Sequence, residues 1–336
     1  MPTVTIRDVA KLANVSTATV SRVLNDSPAV KSETRARVLA VINETGYMPN
    51  LTARRLSLGR TLTIGILLPF LTLPSFIERL RGVQAALADS EYDLTLSSVE
   101  TPNRLDHCID NLLRRAGVDG VIAVSIFFTD SQVERFRQSK MPVVLIDAHG
   151  PEMSRVVVDD VAGGETATRH LIEMGHRRIG FLSDHLDNPF NFVAMRRRHK
   201  GYLQALDTAR IPFFPDYHQQ GKLGGREAYD KARDLLTLKE RPTAIFAASD
   251  THAVGVLKAA HELEIRVPEE LSVVGYDDIR DAEYLNLTTI RQPLFHSGFE
   301  GANMLLAALK APPSVPDDVC LEIQLVVRGT TAPLRS

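Results

Sequence analysis

From Leu62 onward, short apolar runs of strand length alternate with longer amphipathic stretches, and this alternation constrains the fold more than any other feature of the chain. TIGILLP, YDLTLSSV, VDGVIAVS and VVLID read as strands, with helices expected to begin near Ser75, Asn103 and Asp130. A second series follows: VVVDD, IGFLS, AIFAAS and LSVVGYD, with helices near Gly163, Asn191, Arg226 and Thr251. Nearly continuous apolar strands separated by helices call for parallel sheets covered on both faces. Two series imply two lobes. The strand after Thr288 and the closing LEIQLVVR are expected to cross back between them.

The first 60 residues are of another kind. They hold nine Lys/Arg and four acids, a net charge of +5, while the rest of the chain carries −7. A small basic head on an acidic body suits contact with a polyanion, although a solvated basic surface would look the same. Thr5 and Asp8 have capping-box spacing for a helix starting near Ile6, with Val9, Ala10, Leu12 and Ala13 as its apolar stripe. Asn14-Val15-Ser16 breaks that helix, and Ser16 can cap a second one running to about Asn25. There Val20, Val23 and Leu24 face inward, and Thr17, Ala18, Ser21, Arg22 and Asn25 form the opposite face. Short polar side chains let a helix approach base edges in a major groove, where an arginine can bond a guanine twice. A third helix is expected from Ser32 to Gly46, with Val38, Leu39 and Ile42 inward.

The string VTIRDVAKLANVSTATVSRVLN strongly resembles the helix-turn-helix of the lactose/galactose repressor (LacI/GalR) family, and GYMPNLTARRLSLGRT resembles its hinge. LPSFIERLRGVQ, VVVDDVAGGETATRHLIEMGHRRIGFL, PTAIFAASDTHAVGVLKAAHELEIRVPEELSVVGYDD, LTTIRQP and VVRGTT extend the resemblance across essentially the whole chain. It implies an all-α helix-turn-helix head (1–49), a hinge helix and linker (50–61) and a two-lobed α/β sensor resembling periplasmic binding proteins (62–336). The first lobe would hold about 62–160 and 291–320, the second about 161–290 and 321–336. Base readout would then fall to Thr17, Ala18 and Arg22, with Thr5, Ser16, Thr19, Ser21 and Asn25 on phosphates or nearby. Asn50 is a good N-cap for a two-turn segment too short to be a stable helix alone. Ala53, Arg54 and Leu56 of that segment would meet the minor groove, Leu56 as a wedge between base pairs. Without the resemblance, a lone leucine on a short helix reads as core.

Open parallel sheets bind ligands beyond the carboxyl ends of their strands. Asp147, Ser249, Asp250 and Asp277 stand at such ends, and the resemblance adds Ser75, Phe76, Arg198 and Gln292 as effector-binding candidates. Taken alone, Phe76 reads equally as core, Asp147 and Asp277 as turn caps, and Arg198 as one more charge beside Arg196 and Arg197. The chain departs from the family at Ala148, Asn286 and Leu223 and has no tryptophan, so an aromatic platform for a sugar is weak. A sugar or sugar derivative is the leading effector, with other small polar molecules open.

These readings imply a cytoplasmic homodimer on palindromic double-stranded operator DNA, without cofactor or membrane contact. No apolar run approaches the ~20 residues of a membrane span. The first residues lack a signal core, and the residues after VVRGTT leave no room for tetramer-forming heptads. Cys108 and Cys320 match no metal or redox spacing, the ten histidines are dispersed, and no Walker A, dinucleotide-binding or G-x-S-x-G motif occurs. A transport-type solute-binding protein and a sugar-processing enzyme are the competing classes. The basic head speaks against the first, and the lack of a catalytic constellation against the second.

Overall fold

The computed structural model describes residues 4–24, 27–47, 59–99, 101–114, 117–150, 152–187, 193–222 and 224–334. The chain packs as two units, Met1–Thr61 and Leu62–Ser336.

The N-terminal unit is α1 (Ile6–Leu12), α2 (Thr17–Leu24) and α3 (Ser32–Thr45) around Val9, Ala10, Ala13, Val20, Val23 and Val38. The Asp8 carboxylate accepts the Thr5 backbone N–H at 2.9 Å and the Thr5 hydroxyl at 2.7 Å, which closes the first turn. Asn14, at φ 53°, turns the chain sharply enough for Ser16 to accept the Thr19 N–H at 3.1 Å and cap α2. Gly46, at φ 62°, ends α3. Leu12 and Leu39, both expected inside, are 63% and 43% exposed. Each lies roughly a quarter turn off the centre of its helix's buried stripe, so apolar spacing alone assigned them to the wrong face.

The larger unit has two six-stranded sheets. The first comprises β1 (Thr63–Leu68), β2 (Asp93–Ser98), β3 (Gly120–Val124), β4 (Val143–Ile146), β5 (Ser154–Val158) and β11 (Asp318–Leu321), in the order β11-β5-β4-β3-β1-β2, all parallel. The helices α5 (Pro102–Arg114) and α6 (Asp130–Ser139) cover one face through Ile109, Leu112 and Phe136. On the other, α4 (Pro74–Leu87) and α12 (Leu294–Lys310) pack Val83, Ala302 and Leu305 against Ile64, Ile66 and Ile122.

The second sheet runs β12-β10-β9-β8-β6-β7. Its strands are β6 (Ile179–Asp184), β7 (His218–Gly221), β8 (Ala244–Ala247), β9 (Ser272–Asp277), β10 (Thr288–Arg291) and β12 (Gln324–Val326), of which β12 alone is antiparallel to its neighbour. Its helices are α7 (Asp160–Glu173), α8 (Val193–Thr208), α9 (Gly225–Leu236), α10 (Asp250–Glu262) and the short α11 (Arg280–Tyr284).

The strand assignments differ from the expectation in two places. VVVDD does not open the second series. It is β5, paired with β4 in register Val144↔Ser154, and the chain crosses only after it, where Asp159 caps α7 by accepting the N–H groups of Val161 and Ala162 at 3.0 and 3.1 Å. Nor does the strand after Thr288 cross: β10 stays beside β9, and Gln292-Pro293 carries the chain back to α12. LEIQLVVR is divided, its first residue ending β11 in one sheet and its middle forming β12 in the other.

Candidate functional sites

In α2, packing of Val20 and Val23 inward turns Thr17, Ala18 and Arg22 out to solvent, with Ser21 and Thr19 half-buried beside them. Ser16 and Thr19 are hydrogen-bonded to each other at 3.0 Å as part of the cap. This is a shallow polar ridge with one long cation, a shape that fits a groove lined by hydrogen-bonding edges. Asn25, Asn50, Ala53, Arg54 and Leu56 lie outside the described residues.

Between the two lobes of the larger unit lies a cavity of about 290 Å³. Ser75, Phe76, Asp147, Arg198, Ser249, Asp277 and Gln292 all line it. The fold explains their convergence. Asp147 and Asp277 follow or end the central strands β4 and β9, at φ 55° and 120°, and Ser249 lies just beyond β8. The first turn of α4 presents Ser75 and Phe76, the second turn of α8 presents Arg198, and Gln292 sits on the crossover. Phe70 and Phe76 meet edge to face at 6.3 Å and, with Leu73, Val193 and Met195, form the apolar part of the wall.

A polar network joins the lobes. Arg79 lies 3.3 Å from Asp147 and donates to Gln292 Oε1 at 3.3 Å, and Gln292 Nε2 donates to Asp277 Oδ1 at 2.5 Å. Arg198 stands 3.7 Å from Asp277, donates to Asp160 at 2.8 Å and to the Ala248 carbonyl at 2.7 Å, and lies over the Tyr276 ring at 3.7 Å. Burial disfavours the Arg198 cation, but the neighbouring Asp160 and Asp277 more than reverse this and hold the guanidinium charged. Burial pushes the Asp277 carboxyl up, and the guanidiniums of Arg198 and Arg79 pull it part of the way back.

Asp250 is the one effector candidate outside this cavity. Fully buried, it accepts the Thr289 hydroxyl at 2.6 Å and the Ile279 N–H at 2.9 Å, tying the start of α10 to β10 and to the segment after β9. One residue after Ser249 the helix has begun to turn, and the side chain points into the lobe. Among the polar cavity residues that escaped the sequence reading are Arg79, Ser125, Asp184, His252, Lys222 and Thr251. Ser125 follows β3 and donates to Asp147 at 2.6 Å, and Asp184 ends β6, so the rule of strand ends would have found both. Arg79 and His252 lie one helical turn from Ser75 and Ser249, which puts them on the same faces.

Among the described residues no group of three or more His, Cys, Asp or Glu could hold a metal ion, and no helix is long and apolar enough to cross a membrane.

A basic-headed helical unit followed by a two-lobed sensor with a polar cleft defines a class of proteins, and comparison agrees. Residues 5–50 match the family described as bacterial regulatory proteins, lacI family, and residues 168–331 match the periplasmic binding protein-like domain. The HTH-type transcriptional repressor PurR of Yersinia pestis (strain Pestoides F) is 35% identical over 338 residues, covering 98% of this chain and 97% of that protein. The chain belongs to the lacI family of bacterial regulatory proteins. In structure it is similar to the Lac repressor dimer bound to operator and the anti-inducer ONPF, at TM-score 0.87 and 28% identity over 98% of this chain and 99% of that one. It is also similar to the regulator CelR in complex with cellobiose, at TM-score 0.72 and 30% identity over 97% and 99% of the two chains.

Proposed function

We propose that the chain is a cytoplasmic transcriptional repressor that binds palindromic operator DNA as a homodimer and whose operator affinity is set by a small molecule held between the sensor lobes. The observation that carries this reading is the cleft itself. Ser75, Phe76 and Asp147 of one lobe meet Arg198, Ser249 and Asp277 of the other around one cavity, with Gln292 on the crossover. A ligand touching both lobes necessarily favours one lobe arrangement over another, and that difference is what an allosteric effector must have. The PurR repressor, the Lac repressor described with operator and anti-inducer, and the regulator CelR described with cellobiose support the same reading. Asp147, Arg198 and Asp277 offer the carboxylate–guanidinium set that bonds vicinal hydroxyls, so a sugar or sugar derivative leads the candidates.

For DNA, the exposed Thr17, Ala18 and Arg22 are the base-reading residues, with Thr5, Ser16, Thr19, Ser21 and Asn25 toward the backbone and Asn50, Ala53, Arg54 and Leu56 toward the minor groove. Exposed apolar side chains at Tyr284 (87%), Leu285 and Val254 support a dimer surface on the second lobe. The cleft binds and does not transform its ligand. Capture of operator fragments from genomic DNA, followed by recovery of cleft ligand after prolonged incubation, tests both halves: operator-specific capture and unchanged ligand are expected, whereas absence of sequence-specific capture removes the regulator.

A further inference from the structure

Three side chains of the second-lobe wall form a hydrogen-bond relay with a definite polarity. Ser249 Oγ lies 2.6 Å from Nδ1 of His252, and His252 Nε2 lies 3.1 Å from Asp184 Oδ1. All three residues line the cavity, and Ser249 and His252 are only 8% and 4% exposed. An ionised carboxylate has no proton to give, so Nε2 carries the hydrogen and donates to Asp184. In the neutral imidazole Nδ1 is then bare, and the Ser249 hydroxyl must donate to it. Ser249 Oγ also accepts the backbone N–H of His252 at 3.3 Å, which uses one of its two lone pairs. What this relay offers the cavity is therefore one lone pair of Ser249 and the second oxygen of Asp184, which has no partner among the described residues.

The remaining carboxylates have the same surplus. Asp147 spends Oδ2 on Ser125 and Arg79, and Asp277 spends Oδ1 on Gln292 and Arg198. Each keeps its other oxygen without a partner among the described residues. The two guanidiniums of the cavity, meanwhile, already face Asp147, Asp160 and Asp277. Against the open carboxylate oxygens of Asp147, Asp184 and Asp277 the cavity also holds the Lys222 ammonium and the buried Arg79 Nε–H, so open carboxylates still outnumber the remaining cationic groups.

We infer that His252 is a specificity-determining residue of the cleft: by accepting from Ser249 and donating to Asp184 it leaves this stretch of the wall with acceptors only, and so selects an effector that presents hydroxyl or amine donors here and no anionic group against it. The inference rests on the cleft being the effector site. A carboxylate or phosphate placed against these three side chains would meet the free Asp184 oxygen and the Ser249 lone pair, and none of the three would donate to it. His252 acts through Ser249 and Asp184 and is a positioning residue. It stands one helical turn beyond the helix cap, on the face of α10 that looks into the cavity.

Two measurements on the full-length protein test this. In histidine-labelled protein at pH 8, with His252 identified by the signal missing from His252→Gln, ¹⁵N shifts should report a neutral ring protonated at Nε2. A ring protonated at Nδ1, or an imidazolium, overturns the inference without any ligand being needed. The second is calorimetry with matched sets of common pentoses and hexoses: the neutral sugar, its 2-amino sugar, its uronic acid and its terminal phosphate. Binding lost in Asp277→Ala is taken as cleft binding. The neutral or amino member should bind at least about tenfold tighter than its anionic partners. His252→Met should narrow that gap, and His252→Gln, which keeps an N–H toward Asp184, should restore most of it. An anionic member that binds tightest in an Asp277-dependent way overturns the donor-selecting role and leaves the cleft as the effector site. If no compound of any class shows Asp277-dependent binding, the effector reading of the cleft fails, and the inference with it.

Discussion

Asp250 and Asp277 both stand at the carboxyl ends of strands in the second sheet, yet one is a buttress and the other a wall of the cavity. Asp250 has both oxygens bonded inside the lobe, to Thr289 and Ile279, while Asp277 keeps one toward the cleft. Asp250→Ala would leave a buried hydroxyl and a buried N–H unpaired, at about 1–3 kcal/mol each, and urea denaturation should register a loss of at least about 2 kcal/mol. A stability within about half a kcal/mol of the parent would mean those bonds are not made. The position after a strand was legible in the sequence; which way the side chain turns was not, because a one-residue step around the start of α10 separates Ser249 from Asp250. In the N-terminal unit the same scale favoured the reading, since the outward turn of Thr17, Ala18 and Arg22 follows directly from where Val20 and Val23 sit. Arg22→Ala is expected to weaken operator binding by about 1–3 kcal/mol and to relax preference at one base pair per half-site. Titration against operators varied one pair at a time checks this, and a uniform loss at every sequence would move Arg22 from the bases to the backbone.

Pairs of elements hold what single residues do not reveal. Helices α7 and α8 approach closely because Gly164 and Gly201 face the partner backbone: a Cβ on Gly201 would stand 2.1 Å from the Val161 carbonyl oxygen. Gly201→Ala must therefore push the helices apart, costing about 1–3 kcal/mol or more. Because Asp160 lies on α7 and Arg198 on α8, it should also loosen the cleft, and calorimetry on the folded variant would detect weaker ligand binding. Nothing in the strand-and-helix periodicity marks either glycine as a contact, since periodicity describes one element at a time. The same limit explains the misplacement of VVVDD, whose apolar run is compatible with either sheet until its neighbour is known. A second pairing involves α8 and β7, where His199 and His218 stack with centroids 4.2 Å apart. Burial, and then the proximity of His199, pushes His218 down to about 4 from its ordinary 6.5. Between these two values the unfolded chain takes up a proton that the folded chain refuses, so stability falls as pH drops from about 6.5 to about 4. His218→Phe keeps the ring and removes the titration, and should flatten part of that slope in denaturation curves at pH 7, 5.5 and 4.5. An unchanged slope would mean that other buried histidines, such as His176, carry the effect.

At the scale of the whole molecule, the division into a helical head and a two-lobed sensor was legible, because a change of period and of charge near residue 60 is written along the chain. The crossings were less so. Three segments pass between the lobes, and the sequence reading expected a strand where Gln292-Pro293 makes the turn. That crossover carries the hydrogen bonds that join Arg79 of one lobe to Asp277 of the other, and Arg280 adds an ion pair to Glu78 at 3.0 Å. A ligand in the cleft meets a linkage that already spans it. On the outer surface, Tyr284→Asp would put a charge into the proposed dimer face, and sedimentation at micromolar protein should then give the mass of one chain where the parent gives two. A parent mass near four chains would contradict the dimer.

The central claim is that occupation of the cleft changes operator affinity, and fluorescence anisotropy of labelled operator tests it most directly. The titration is made with and without a saturating compound whose binding Asp277→Ala abolishes. The account predicts that operator affinity changes at least about tenfold, about 1.4 kcal/mol of coupling, and that the compound's own affinity changes by the same factor when operator is bound. The same operator affinity with the cleft empty and full would contradict it.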